Sequence, residues 1–351
     1  MKKLIIDNII FQWQKAGGVS AIWYEIISRL LKRDLPVEFI EYEHSCLNKY
    51  HKRLDIPKCR ILKTVSARYG VIKRYLPVNV SSKEPFIFHS SYYKWCRSKN
   101  AINVITVHDF TYEYFCHGLR KWIHHWTKSR AIGKARRIIC VSENTKNDLI
   151  KFFPAIDTSK ISVIYNGVSD AFRPLHPSLR YDENDKFLIF VGNRARYKNF
   201  DLAVEAARAT GLKLYIIGQR LCGKEKDRVE KLLGQNYVDL GFVSNERLNM
   251  LYNKAYALIY PSSYEGFGMP VIEAQKAGCP VIATRGSSIT EIYGKDTLLI
   301  KGEDPGQIVE KIKMLEERDF RGKVIDEGFK NAKRFSWDKA FEAYLDLYKQ
   351  L

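Results

Sequence analysis

The segment Ala257-Leu-Ile-Tyr260-Pro-Ser-Ser-Tyr-Glu265-Gly-Phe-Gly-Met-Pro270-Val-Ile-Glu273-Ala-Gln-Lys-Ala-Gly278-Cys-Pro280-Val-Ile-Ala-Thr284 decides how this chain is read. Its two ends, 257–260 and 280–284, are short apolar runs fit for buried parallel strands. Between them a glycine-rich loop leads into a helix. Pro270 suits a first helical turn, where its missing N–H costs nothing, and Gly278 followed by Pro280 is a stop signal. The unit is strand, loop, helix, strand, and its loop falls at the carboxyl ends of a parallel sheet, where open α/β sheets bind ligands. Gly266 and Gly268 admit close backbone approach, and the amides that open the helix attract anions. Glu265 in the loop and Glu273 in the helix are acceptors for hydroxyl groups, aimed at one ligand from two sides. A compound with phosphates in the middle and hydroxyl-bearing rings at both ends, a nucleotide sugar, satisfies that set. The glycines alone fit an ordinary βαβ crossover equally well.

Taken together, Glu265 and Glu273 with seven residues between them, the preceding Pro-Ser-x-Tyr and the following Ala-Gly-Cys-Pro-Val-Ile-Ala-Thr resemble the Glu-x7-Glu signature of retaining glycosyltransferases of family 4. The resemblance implies the GT-B fold, two doubly wound, Rossmann-like α/β domains facing each other across a cleft. It assigns Glu265 to the transferred sugar and Glu273 to the nucleotide ribose, with Gly266, Phe267 and Gly268 also against the donor.

The 351 residues, 46% hydrophobic, suit two ordinary cores. No apolar run approaches the roughly 18–20 residues that span a bilayer. The opening Met1-Lys-Lys-Leu-Ile-Ile-Asp7-Asn8 reads as a first strand and not as a signal peptide, because Asp7 and Asn8 interrupt its apolar run. Seven cysteines without a Cys-x-x-Cys speak against a disulfide framework or a zinc cluster and for a reducing cytoplasm. The net charge of +19 is uneven: Met1–Val168 carries 29 Lys and Arg against 13 Asp and Glu, Ser169–Leu351 carries 29 against 26. An anionic partner is therefore expected on the first half.

From the amino terminus, 2–10 reads as a strand, 14–18 as a loop and 19–31 as an amphipathic helix, which puts Gly17 and Gly18 where backbone amides meet phosphate. The resemblance assigns these glycines to the donor phosphates and the acceptor. The stretch 49–83 holds ten Lys or Arg and one acid, Asp55, interleaved with Tyr50, Tyr69 and Tyr75. It reads either as a solvated loop or as a docking surface for an anionic lipid or glycan. A strand at 103–107 ends in His108-Asp109, a pair that resembles the family position meeting the donor sugar and the acceptor hydroxyl. Leu119, Trp122, Ile123 and Trp126 form a helical apolar stripe among cations, facing either the core or an anionic membrane. Asn166-Gly167 resembles the turn closing the first domain, and the boundary is placed between 168 and 177.

Beyond it, strand 187–191 ends in Asn193-Arg194-Ala-Arg196-Tyr-Lys198. Clustered cations at a strand end answer an anion, and the resemblance assigns Lys198 and an arginine, Arg194 or Arg196 with Arg194 preferred, to the leaving diphosphate. Asn193 joins them beside the donor, and Gly241, Phe242 and Val243 line the nucleotide base. Domains are expected at 1–170 and 171–336, with a helix at 337–351 packing back on the first. The expected reaction is sugar transfer from a UDP- or GDP-sugar to a glycan or lipid-linked acceptor for cell-surface polysaccharide, with retention. The enzyme would be cytoplasmic, or peripheral on the inner face of the membrane. With no Asp-x-Asp in the sequence, neither a metal nor another cofactor is expected. A GT-B epimerase or phosphorylase is the alternative; a nucleic-acid binder is disfavoured because no reading module accompanies the charge.

Overall fold

Two parallel sheets organise the chain, in a computed structural model that describes residues 1–66, 75–179 and 181–351. The chain divides into two units, Met1–Gly167 with Trp337–Leu351, and Val168–Ser336. Tyr69 lies outside the described residues.

The sheet of the first unit contains β1 (Leu4–Asp7), β2 (Val37–Tyr42), β3 (Ile61–Val65), β4 (Phe86–Ser90), β5 (Ala101–Val107), β6 (Arg137–Cys140) and β7 (Ile161–Val163). Its order is β3-β2-β1-β4-β5-β6-β7, so the winding reverses between β1 and β4. All four residues of β1 are buried, as expected of a strand covered on both faces. Sequence periodicity carries that strand too far. It stops at Asp7, and Ile9–Trp13 coils into a short helix that buries Ile9, Ile10 and Phe11. Strand β3, at the sheet edge, was hidden inside the basic stretch; it is five residues long, none of its residues is buried, and Lys63 stands at its centre.

Residues 337–349 form a helix of this first unit. It buries Trp337, Phe341, Tyr344 and Tyr348, and Tyr348 Oη lies 2.7 Å from His89 Nδ1 on β4. Arg29 and Arg33 pair with its Asp338 (2.9 Å) and Glu342 (2.6 Å). Gly167 is required where the chain passes this helix, since a Cβ there would lie 2.2 Å from the Trp337 amide nitrogen.

The second sheet contains β8 (Phe187–Val191), β9 (Lys213–Ile217), β10 (Tyr237–Gly241), β11 (Ala257–Tyr260), β12 (Val281–Thr284) and β13 (Leu299–Ile300), in the order β10-β9-β8-β11-β12-β13. Here the winding reverses between β8 and β11, and open α/β sheets bind ligands at the carboxyl ends of the strands at such a reversal. The quoted loop follows β11, and the cation-rich loop follows β8.

Candidate functional site

In the second unit the two loops at the reversal point are stitched together. Ser263 N donates to Tyr197 O (2.8 Å), and Asn199 Nδ2 donates to Pro261 O (3.0 Å) from a left-handed backbone at φ 48°. This brings Lys198 Nζ into a salt bridge with Glu265 Oε1, both side chains being nearly nine-tenths buried. Tyr260 Oη donates to the same oxygen at 2.6 Å. Burial, reinforced by the Glu265 charge, pushes the Tyr260 phenol well above its ordinary value, so it stays a donor. The loop backbone is held from a third segment: Glu265 N donates to Ser287 Oγ (2.9 Å), while Ser288 Oγ donates to Glu265 O (2.8 Å) and Phe267 O (2.9 Å). Tyr260, Ser287 and Ser288 were missed from sequence. Tyr260 read only as the apolar end of a strand, and the serines act from a different loop.

Gly268 caps the helix Met269–Ala277 at φ 104°. Glu273 is half-buried on that helix, and its charge acts on Tyr252, a fully buried phenol raised chiefly by desolvation. Gly266 and Phe267 complete the loop, with Phe267 buried edge-on to Phe335 at 5.7 Å between centroids.

A second feature was only half legible. Strands β8, β9 and β10 each end in glycine, Gly192, Gly218 and Gly241, all at positive φ and laterally hydrogen-bonded (Gly192 N to Ile217 O, Gly218 N to Gly241 O, both 3.0 Å). A Cβ on Gly218 would lie 2.2 Å from the Gly192 carbonyl oxygen. Gly218 and Gly241 are buried, with the Arg220 side chain lying against Gly241, and beside these strand ends stand Phe242, which is 74% exposed, and the half-buried Val243.

Arg194 is engaged elsewhere. Its guanidinium donates to Gln219 O and to Arg220 O (2.7 Å), and its Nε lies 2.7 Å from Glu225 Oε2. It braces the turn after β9, and meeting a diphosphate would require it to give up these partners. Arg196 is exposed and has no partner among the described residues. Asn193, also exposed, accepts from Ala195 N (3.2 Å).

In the first unit His108 and Asp109 follow β5. His108 is buried with neither ring nitrogen partnered among the described residues. Burial pulls its pKa down to about 4, with the Lys128 charge adding to the fall and Asp109 opposing it, so the ring is neutral at pH 7. Asp109 Oδ1 accepts from Thr111 N (2.9 Å). Beneath them lies an ionic cluster that sequence gave no hint of: fully buried Lys128 Nζ donates to Asp109 O (3.0 Å) and to Glu113 Oε2 (2.8 Å). Burial would raise the Glu113 carboxyl, but His124 and Lys128 together pull it down to about 2. A second cluster sits at the reversal between β1 and β4. Buried Asp7 accepts from Tyr42 Oη (2.6 Å) and Ser90 Oγ (2.8 Å), and its pKa is raised by burial despite Lys94 nearby.

Gly17 and Gly18 stand at the start of the helix Gly18–Leu31. Gly17 is extended (φ 177°), and a Cβ on Gly18 would meet nothing within 4 Å. No neighbour demands glycine at residue 18, which leaves its amide open to an approaching group.

The model for glycosyltransferase family 4 matches residues 16–172, and that for glycosyl transferases group 1 matches residues 172–331. The chain belongs to glycosyltransferase family 4. An uncharacterized glycosyltransferase of Methanocaldococcus jannaschii is 24% identical over 99% of this chain and 98% of its own. O-antigen chain mannosyltransferase B of Escherichia coli is 27% identical over 63% of this chain and 62% of its own. Among solved structures, Anabaena HepE in complex with UDP and glucose superposes at a TM-score of 0.72 with 14% identity, each chain being wholly covered. WaaG, a glycosyltransferase involved in lipopolysaccharide biosynthesis, superposes at 0.69 with 16% identity over 98% of this chain and 99% of its own. The family 4 enzyme thus has the two Rossmann-like domains of the GT-B fold.

Proposed function

We propose that this glycosyltransferase moves a sugar from a UDP- or GDP-sugar to a hydroxyl of a glycan or lipid-linked acceptor, in the assembly of a cell-surface polysaccharide, with retention at the anomeric carbon. The observation that carries the reading is the Lys198–Glu265 pair, with Tyr260, at the reversal point of the second sheet. The exposed Phe242 ring after β10 suits the base. Glu265 accepts from hydroxyls of the transferred sugar, and Glu273 from the ribose. Lys198 meets the diphosphate and stabilises the charge that grows on it as the glycosidic bond breaks. On the first unit, neutral His108, whose two ring nitrogens are buried without a partner among the described residues, is assigned to a hydroxyl of the donor sugar, and Asp109 orients the acceptor.

Because Lys198 supplies that positive charge, we propose that transfer needs no divalent metal. The polysaccharide assignment is supported by the named roles of the O-antigen and lipopolysaccharide relatives. Thermal-shift and transfer assays against a panel of nucleotide sugars, with and without EDTA, test the reading. One donor should stabilise the protein and turn over, with the product anomer retained by NMR. Indifference to every nucleotide sugar would refute it, and abolition of transfer by EDTA with rescue by Mn²⁺ or Mg²⁺ would refute metal independence.

A further inference from the structure

The helix Gly118–Lys134 is packed inside out. Its buried residues are His124, Thr127, Lys128, Ala131 and Ile132, whereas Leu119, Trp122 and Trp126 stand 71%, 63% and 39% exposed. The apolar stripe therefore does not face the core, as periodicity alone allowed. The inner face is taken by the ionic cluster that holds Glu113 and the Asp109 carbonyl. Of the eleven exposed large hydrophobic side chains among the described residues, four fall between Phe115 and Trp126. A concentration of this kind marks an interaction surface.

The surroundings of the patch select the partner. No acid occurs from Cys116 to Ser142, and Arg120, Arg130, Lys134 and Arg136 are exposed around the stripe. The Trp122 and Trp126 rings lie nearly parallel with centroids 6.5 Å apart, and the Arg130 guanidinium sits 4.7 Å from the Trp126 ring. Arg120 reaches Tyr112, donating to its Oη at 3.3 Å. An exposed indole pair with one guanidinium over the Trp126 ring, and further cations around it, matches the chemistry of a bilayer interface, apolar below and phosphate-rich above. At about 1.5 Å per residue the helix is roughly 25 Å long, a useful footprint when lying flat. No helix among the described residues is long and apolar enough to cross a membrane, so contact through this face would be with one leaflet. A second copy of the chain is a poor occupant, because face-to-face pairing would set arginines against arginines.

We propose that the outer face of the helix Gly118–Lys134, with Phe115 ahead of it, docks on an anionic phospholipid surface. The proposal is independent of the catalytic assignment. Its consequence for the enzyme is that one helix meets lipid on one side and holds the Asp109 turn through Lys128 on the other.

The test is co-sedimentation of the purified protein with phosphatidylcholine vesicles, with and without phosphatidylglycerol, at physiological salt. Wild-type protein should bind only the anionic vesicles. Trp122→Ser with Trp126→Ser should lower binding at least about tenfold, at unchanged circular dichroism, since interfacial burial of apolar surface contributes alongside charge. Arg120→Ala with Arg130→Ala should lower it about 25-fold, each cation near an anionic leaflet contributing about fivefold. Brominated lipid should quench the fluorescence of the unaltered protein, because Trp23, Trp95 and Trp337 are buried away from it. Equal binding by the tryptophan variant would overturn the proposal and leave only diffuse attraction to a chain of charge +19. So would absence of binding, or a dimer seen by light scattering that the tryptophan variant dissolves.

Discussion

Replacing Lys198 by alanine probes the site most directly. The ammonium is held by Glu265 and by Tyr260 Oη at 3.5 Å, and its side chain is only 11% exposed, so its charge is poorly screened. A unit charge pair about 4 Å apart at an effective dielectric near 20 is worth about 4 kcal/mol. Only part of a full charge develops on the leaving diphosphate during bond cleavage, so about 3–4 kcal/mol is the reasonable loss. That equals a drop of about 10²–10³ in kcat, the range found when one preorganised donor is removed from an enzyme. Lys198→Arg keeps the charge and should recover part of the rate. Stability should change far less, because Glu265 keeps the Tyr260 hydrogen bond; about 1 kcal/mol, or roughly 2–4 °C, is expected. The assay is initial-rate kinetics with the stabilising nucleotide sugar, beside thermal unfolding of the same preparations. A kcat for Lys198→Ala within threefold of wild type, at unaltered folding, would refute the reasoning.

Stability should fall as the pH drops from 6.5 toward 4. His108 (about 4) and His89 (about 3) are held below the ordinary histidine value by burial, so the unfolded chain binds more protons in that window. Glu113 contributes in the same sense but lower down, its stabilisation being lost as the pH falls from 4.5 to about 2. Thermal midpoints measured from pH 7 to pH 4 check this, and a flat profile contradicts it. Lys128→Met leaves the Glu113 charge buried without its cation and should cost about 3–5 kcal/mol in urea unfolding, most of it restored by adding Glu113→Leu. Gly218→Ala should destabilise severely, since its Cβ meets the rigid Gly192 backbone, whereas Gly18→Ala should leave stability unchanged. If the residue 18 amide meets the substrate, Gly18→Ala nonetheless slows transfer.

What sequence revealed and what it hid divide along a physical line. The 257–284 segment was legible because Pro270, Gly278 and Pro280 punctuate it locally and its strands are too short and apolar to be anything else. Sequence put Lys198 and Glu265 in two loops at strand ends, against the diphosphate and the sugar by resemblance, but their salt bridge was not foreseen. Arg194 could not be read either, because its carbonyl partners at 219 and 220 come from another turn whose position only the assembled sheet defines. The row of glycine strand ends likewise needs the register of three strands. Periodicity left the orientation of the helix at 118–134 open for a different reason. Hydropathy counts Lys128 as a surface residue, and only the presence of Glu113 at 2.8 Å makes its burial affordable.

The return of residues 337–349 to the first unit orders events during synthesis. The second unit is one continuous stretch and can complete its hydrogen-bonded sheet as it leaves the ribosome. The first unit is translated earlier but lacks the aromatic wall that Tyr344 and Tyr348 build against His89 until residues 337–349 have followed. A released chain ending near residue 336 would therefore carry an unroofed amino-terminal unit and a carboxyl-terminal unit whose sheet is closed.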